Sequence, residues 1–167
     1  MTVKDTLRNC SLFSGVGGED LERLAPAFSQ MTAMKGDVIL KEGEHAPSLY
    51  LIEEGRVSLQ MTLERPDGSS TGPTPVASLG PGEAFGWLAL IDLHLNTLSA
   101  TVVEPTRLLH VEGSLVQEML SLNKAMGFQI MGNLAKLLGE RLGETREALV
   151  FQRSWVHYQQ QLPEGTS

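Results

Sequence analysis

The chain has 167 residues, 41% of them hydrophobic and 20% charged, with a formal net charge of -7. Those values suit a globular chain of one domain plus an appendage, and exclude disorder, collagen or a coiled coil over the whole length. The acidic balance, with Lys and Arg scattered singly, leaves no basic stripe of the kind that nucleic-acid binders turn toward phosphates, and the lone Cys10 excludes an intramolecular disulfide framework.

The N-terminus, Met1-Thr2-Val3-Lys4-Asp5, opens no long apolar run, so no signal peptide is expected. No stretch approaches about 18 consecutive apolar residues, so no membrane span is expected either. The compartment expected from these two readings is the cytoplasm. Asn9-Cys10-Ser11 matches the N-glycosylation pattern but, without a secretory signal, is read as chance.

The chain opens on a helical lead-in. Leu7, Leu12, Phe13 and Val16 precede Gly17-Gly18, after which Glu19-Asp20 starts a run of Leu21, Leu24, Ala25 and Phe28 at helical spacing. Acidic residues in the first turn suit the helix dipole, and Pro26 ends or kinks the run. From Met31 to Val111 the period changes. Val38-Ile39-Leu40 is followed by Gly43, Leu49-Tyr50-Leu51-Ile52 by Gly55, and Val57, Leu59 and Met61 alternate with polar residues. Pro66 to Pro75, rich in Gly, Ser, Thr and Pro, reads as an exposed hairpin loop. Val76–Leu79 meets Gly80-Pro81-Gly82, and Ala100–Val103 and Arg107–Val111 are strand candidates split by Glu104-Pro105. Short strands between turn signals predict an all-β barrel, roll or sandwich.

From Ser114 the helical period returns through Leu115, Met119, Leu122, Met126, Ile130, Leu134, Leu138, Leu142, Thr145 and Leu149. This predicts one long helix, or two joined near Ser121-Leu122-Asn123. Such a stripe exceeds what a small β domain can cover, so the expectation is a homodimer through Met126, Ile130, Leu134, Leu138, Leu142 and Leu149. The alternative is a helix folded back on its own β domain. The polar residues 154–167 are read as a flexible tail.

Lys35-Gly36-Asp37-Val38-Ile39-Leu40-Lys41-Glu42-Gly43-Glu44, then Ser48-Leu49-Tyr50-Leu51-Ile52-Glu53-Glu54-Gly55-Arg56-Val57-Ser58-Leu59, and later Pro81-Gly82-Glu83-Ala84-Phe85-Gly86, together resemble the cyclic-nucleotide-binding domain family. That family includes catabolite-activator regulators, cyclic-nucleotide-dependent kinases and gated channels. The resemblance runs from about Leu12 to Leu149. It implies a mainly β fold with flanking α, a cyclic-nucleotide-binding β-roll followed by a long C-terminal helix. On this frame residues 1–113 hold the lead-in and the ligand-binding-type roll, and 114–153 the dimerisation helix or helices.

The resemblance also implies a phosphate-binding cassette. A cyclic phosphate carries one negative charge, and a helix begun by a Gly-rich turn offers it free N–H groups. In the family an arginine completes the cradle, and a carboxylate just after the Phe-Gly pair accepts from the ribose 2′-hydroxyl. Here the expected pocket is Phe85, Gly86, Trp87, Leu88, Ala89, Leu98, Ser99 and Ala100. The carboxylate position carries Trp87, whose indole only donates. The arginine position, just before Ser99-Ala100, carries Leu98, or Thr97 if the loop slips by one, and no Arg or Lys lies between Arg65 and Arg107. Three readings stay open: an altered cyclic-nucleotide site, a more apolar ligand site lined by Trp87, Leu93, Leu95 and Leu98, or a pocket filled by its own side chains in a scaffold. No cofactor is expected, and a cyclic nucleotide enters only under the first of these readings.

His45, His94, His110 and His157 stand at no ligand spacing, and Asp92-Leu93-His94 is better explained as a surface loop, so no metal or haem is expected. Gly15-Val16-Gly17-Gly18 lacks the third glycine and preceding strand of a dinucleotide turn. No catalytic motif is recognisable and no enzyme is expected. The resemblance also raises the DNA-reading helix-turn-helix that many family members carry after the long helix. After Arg153 only a short polar stretch remains, so no nucleic-acid partner is expected. The module is expected to be regulatory, acting through its long helix on a second copy or a separate partner protein.

Overall fold

In a computed structural model of the chain, residues 2–91 and 95–161 are described, the side chains of 148, 149 and 151–161 excepted. The lead-in forms α1 (Val3–Asn9) and α2 (Gly18–Leu24), each followed by a turn of 3-10 helix, Ser11–Phe13 and Ala25–Ala27. Thr2 caps α1: its hydroxyl accepts from the Asp5 N–H, and the Asp5 carboxylate accepts from the Thr2 N–H. Pro26 falls in the second 3-10 turn, where the α-helix has already ended. Leu7, Leu12, Phe13, Leu21 and Leu24 are all buried, and Phe13 meets Phe28 edge-on at 6.0 Å.

Six strands follow: β1 (Ser29–Ala33), β2 (Val38–Leu40), β3 (Ser48–Glu64), β4 (Ser70–Leu79), β5 (Ala84–Phe85) and β6 (Ser99–Glu112). They form an antiparallel sheet ordered β1-β6-β3-β4, with β2 added on β6 and β5 on β3. Ile52, Val57, Leu59, Leu79, Ala100, Val102 and Leu108 point inward and form its core with Phe85. This is the mainly β architecture with flanking helices that the alternating runs predict.

Three local expectations need correction. The runs on either side of Gly55, separate in the sequence, belong to one strand, β3, because Gly55 sits in a bulge. A Cβ there would lie 2.3 Å from the Thr106 hydroxyl oxygen. Glu104-Pro105 likewise does not split β6. The register shifts at that point, and Thr106 bridges the irregularity by accepting from the Arg56 N–H and donating to the Glu104 carbonyl. The Pro66–Pro75 loop is shorter than expected, since β4 begins at Ser70. Pro73 and Pro75 are tolerated because β4 is an end strand, where a missing N–H costs no ladder bond.

The C-terminal helix is two helices. α3 (Gly113–Leu122) and α4 (Lys124–Gln161) meet at Asn123. The Asn123 side chain accepts from the Met126 N–H as an N-cap and donates to Asp20 on α2, so the joint is pinned to the lead-in. α4 continues past the expected boundary at 153, since no Gly or Pro intervenes between Glu144 and Gln161. The expected flexible tail therefore includes eight helical residues, 154–161, and its remainder, 162–167, lies outside the described residues.

The chain divides into two compact units, Met1–Leu134 and Ala135–Ser167. Within the first, Met126, Ile130 and Leu134 are 5%, 0% and 2% exposed. They pack inside their own chain. The cause is a clamp at Asn133, which donates to the Leu12 and Ser14 carbonyls at 3.0 and 2.7 Å, beside Gln129, which donates to the Ser14 carbonyl. The apolar side chains left outside on this part of α4 are Phe128, 84% exposed, and Met131. In the second unit Leu138 and Leu142 are exposed, and the Leu149 side chain lies outside the described residues.

Candidate functional site

The site is built at the start of the cassette. The turn Gly80–Glu83 is bound to β3 by two backbone bonds, Gly82 N–H to the Ile52 carbonyl and Ile52 N–H to the Glu83 carbonyl. This sets β5 opposite Tyr50 and Leu51, and stacks Phe85 on Tyr50 with ring centroids 5.1 Å apart and planes 10° from parallel. Tyr50 also stacks on His110 across β6. Gly86 then reverses the chain at φ 76° and caps a 3-10 turn, Trp87–Leu90. A Cβ on Gly86 would lie 2.5 Å from the Ser48 carbonyl oxygen, so the turn can pass there only as glycine.

Over this turn lies a cavity of about 330 Å³, counting its open mouth, lined by Leu40, Leu59, Phe85, Gly86, Trp87, Leu88, Asn96, Thr97 and Leu98. Five of the eight expected pocket residues line it: Phe85, Gly86, Trp87, Leu88 and Leu98. The other three do not. Ala89 is buried toward α3, where its carbonyl accepts from Gln117 and would meet any Cβ on Gly113. The Ser99 hydroxyl accepts from the Glu42 N–H at 3.0 Å and so ties β6 to the β2 turn. Ala100 is wholly inside the sheet core, opposite Leu40 and Leu59. Leu95, also expected on the wall, is exposed and bridges to His45, and Leu93 lies outside the described residues.

Reading the sequence missed Leu40, Leu59 and Asn96. The first two carried a signal, since each is an apolar residue on a strand and could point inward. Asn96 carried none. Its burial follows from a loop closure: its side-chain amide donates to the Lys41 and His45 carbonyls, its N–H to the Glu44 carbonyl, and its own carbonyl accepts from Gly43.

Among the described residues, none that lines the cavity is titratable. The Trp87 indole N–H donates to the Ala84 carbonyl at 2.7 Å, so the ring is fixed to the wall and its only donor is used. The groups with displaced pKa values lie elsewhere. Burial pushes the Cys10 thiol up to about 11, and hydrogen bonds from Thr2, Lys4 and Ser69 lower the exposed carboxyls of Asp5, Glu22 and Asp67.

Residues 30–123 match the cyclic nucleotide-binding domain. The chain belongs to that family. It is 31% identical over 142 residues to the cyclic AMP receptor protein of Thermus thermophilus, a match covering 83% of this chain and 60% of that protein. This chain therefore spans under two-thirds of that relative's length. A putative cyclic nucleotide-binding protein from Geobacter metallireducens is 30% identical and superposes with a TM-score of 0.70, over 85% of this chain and 99% of the other. The N-terminal domain of a transcriptional regulator from Streptomyces coelicolor is 29% identical, with a TM-score of 0.67, over 81% and 94%. The family's β-roll is thus the fold of this chain. The two cassette positions where the family resemblance expects a carboxylate and an arginine, Trp87 and Leu98, are both on the wall of one cavity here.

Proposed function

We propose that this chain is a regulatory module of the cyclic nucleotide-binding family whose cavity does not hold cyclic AMP or cyclic GMP in the ordinary way, and which acts through its long helix. The observation that carries the reading is the pair Trp87 and Leu98 on one cavity wall, with no Lys or Arg anywhere in residues 66–106. A phosphate entering that cavity would be desolvated with no Lys or Arg among the described lining residues to receive it. Two lost charge-assisted hydrogen bonds, at about 1.5–3 kcal/mol each, weaken a nucleotide by about two to four orders of magnitude.

Ala89, on the cassette turn, accepts from Gln117 of α3, and α3 leads through the Asn123 joint into α4. A change in the turn would therefore reach α4 through packed, hydrogen-bonded elements. Pairing with a second copy would use Phe128 and Met131, and beyond them Leu138 and Leu142. These follow one another at the three- and four-residue steps of a heptad seam once Ala135 is counted. Such a module is non-enzymatic and works in solution on a second copy or a separate protein.

The test is a titration of a Trp155→Phe variant, in which Trp87 is the only indole, with cyclic AMP and cyclic GMP. Emission and melting temperature should not respond up to millimolar nucleotide. A saturable response at micromolar nucleotide would overturn the reading. The alternative, a sensor with a non-standard pocket, is favoured by one observation: Trp87 is held to the wall and leaves the cavity open.

A further inference from the structure

The same cavity has a chemistry of its own. Leu40, Leu59, Phe85 and Leu98 form apolar walls, and the Trp87 ring, its N–H satisfied by Ala84, adds an aromatic face with no donor to offer. Among the described residues, the polar part of the lining is Asn96 and Thr97. Both Asn96 amide contacts are donated to backbone carbonyls, which leaves its side-chain oxygen as an acceptor without a partner among the described residues. Such a lining rewards burial of apolar surface and penalises charge of either sign.

We infer that the cavity binds a small, uncharged, largely apolar molecule carrying a single hydroxyl that donates to the Asn96 side-chain oxygen. The inference rests on the reading that ordinary cyclic nucleotides do not occupy this site, and names the ligand class that does. Entry of such a ligand packs against Trp87 at the start of the turn that carries Ala89, so occupancy is felt at Gln117 of α3.

The probe is 1-naphthol, with cyclic AMP run in parallel, on the full-length Trp155→Phe chain. Naphthol should quench Trp87 emission saturably and raise the melting temperature, and cyclic AMP should not compete. Two substitutions at half-buried Leu98 check the place. Leu98→Arg puts a charge in the wall and Leu98→Phe fills it, and each should weaken naphthol at least about tenfold while circular dichroism shows the fold kept. Silence of the wild-type cavity toward both probes overturns the inference and leaves the absence of ordinary nucleotide binding standing. Micromolar cyclic AMP binding overturns both. Naphthol binding that ignores both Leu98 variants places the ligand elsewhere and also overturns the inference.

Discussion

Replacing Gly86 by alanine separates two reasons for a glycine at the cassette. The residue sits at φ 76°, where a Cβ costs about 1–2 kcal/mol in backbone strain. The same Cβ would stand 2.5 Å from the Ser48 carbonyl oxygen and 3.2 Å from a Tyr50 ring carbon. Ser48 is backbone of β3, held opposite Glu112 of β6, so it cannot yield as a flexible side chain would. Forcing that contact open adds about 1–3 kcal/mol. Gly86→Ala should therefore destabilise by about 2–5 kcal/mol in total, a large part of the 5–15 kcal/mol typical of a domain. Gly36 is the control: its φ is 97°, yet nothing lies within 4 Å of its added Cβ, so Gly36→Ala should show only the strain of about 1–2 kcal/mol. Urea unfolding followed by circular dichroism measures both. Equal losses at the two positions would refute the argument that β3 crowds the cassette turn.

Cys10, buried and with its pKa raised to about 11, should resist iodoacetamide at pH 8 in the native protein and react at once in urea, as mass spectrometry would show. Asp5, lowered from the ordinary 3.8 chiefly by the Thr2 hydroxyl and then the Thr2 N–H, adds stability that is present above that value and lost as pH falls through the lowered one. Asp5→Asn should accordingly flatten the acid side of the urea midpoint measured against pH, by a small amount because the hydrogen bonds to Thr2 lie at the surface. On α4, Ile130→Ala should cost about 2–5 kcal/mol because Ile130 is wholly buried in its own unit, whereas Leu142→Glu should leave the melting temperature of the roll unchanged and turn a dimer into a monomer by light scattering. A monomeric wild type would remove the proposed seam.

The alternating runs and the turn glycines belong to local physics. A strand shows its period of two, and a chain reversal demands glycine, whether or not the rest of the molecule is in view. For that reason β2 and the two halves of β3 were legible from the residues, whereas the run Phe85-Gly86-Trp87 was read as a cassette only through the resemblance to the family. Other features depend on what stands opposite. Gly55 and Pro105 look like strand ends in the sequence, and only the register of β3 against β6 makes them bulges within continuous strands.

Helix α4 shows the same division. Its apolar residues repeat at helical spacing on more than one face, so periodicity gives the helix but not the face that is covered. Asn133 and Gln129, gripping the Ser14 carbonyl, turn Ile130 inward and leave Phe128 outside. Asn96 entered the cavity through its hydrogen bonds to Lys41 and His45, residues more than fifty positions away. A sequence states which side chains are apolar, charged or free of a Cβ. Which of them share a wall is decided by long-range pairing, because burial and hydrogen bonding act between neighbours in space rather than along the chain.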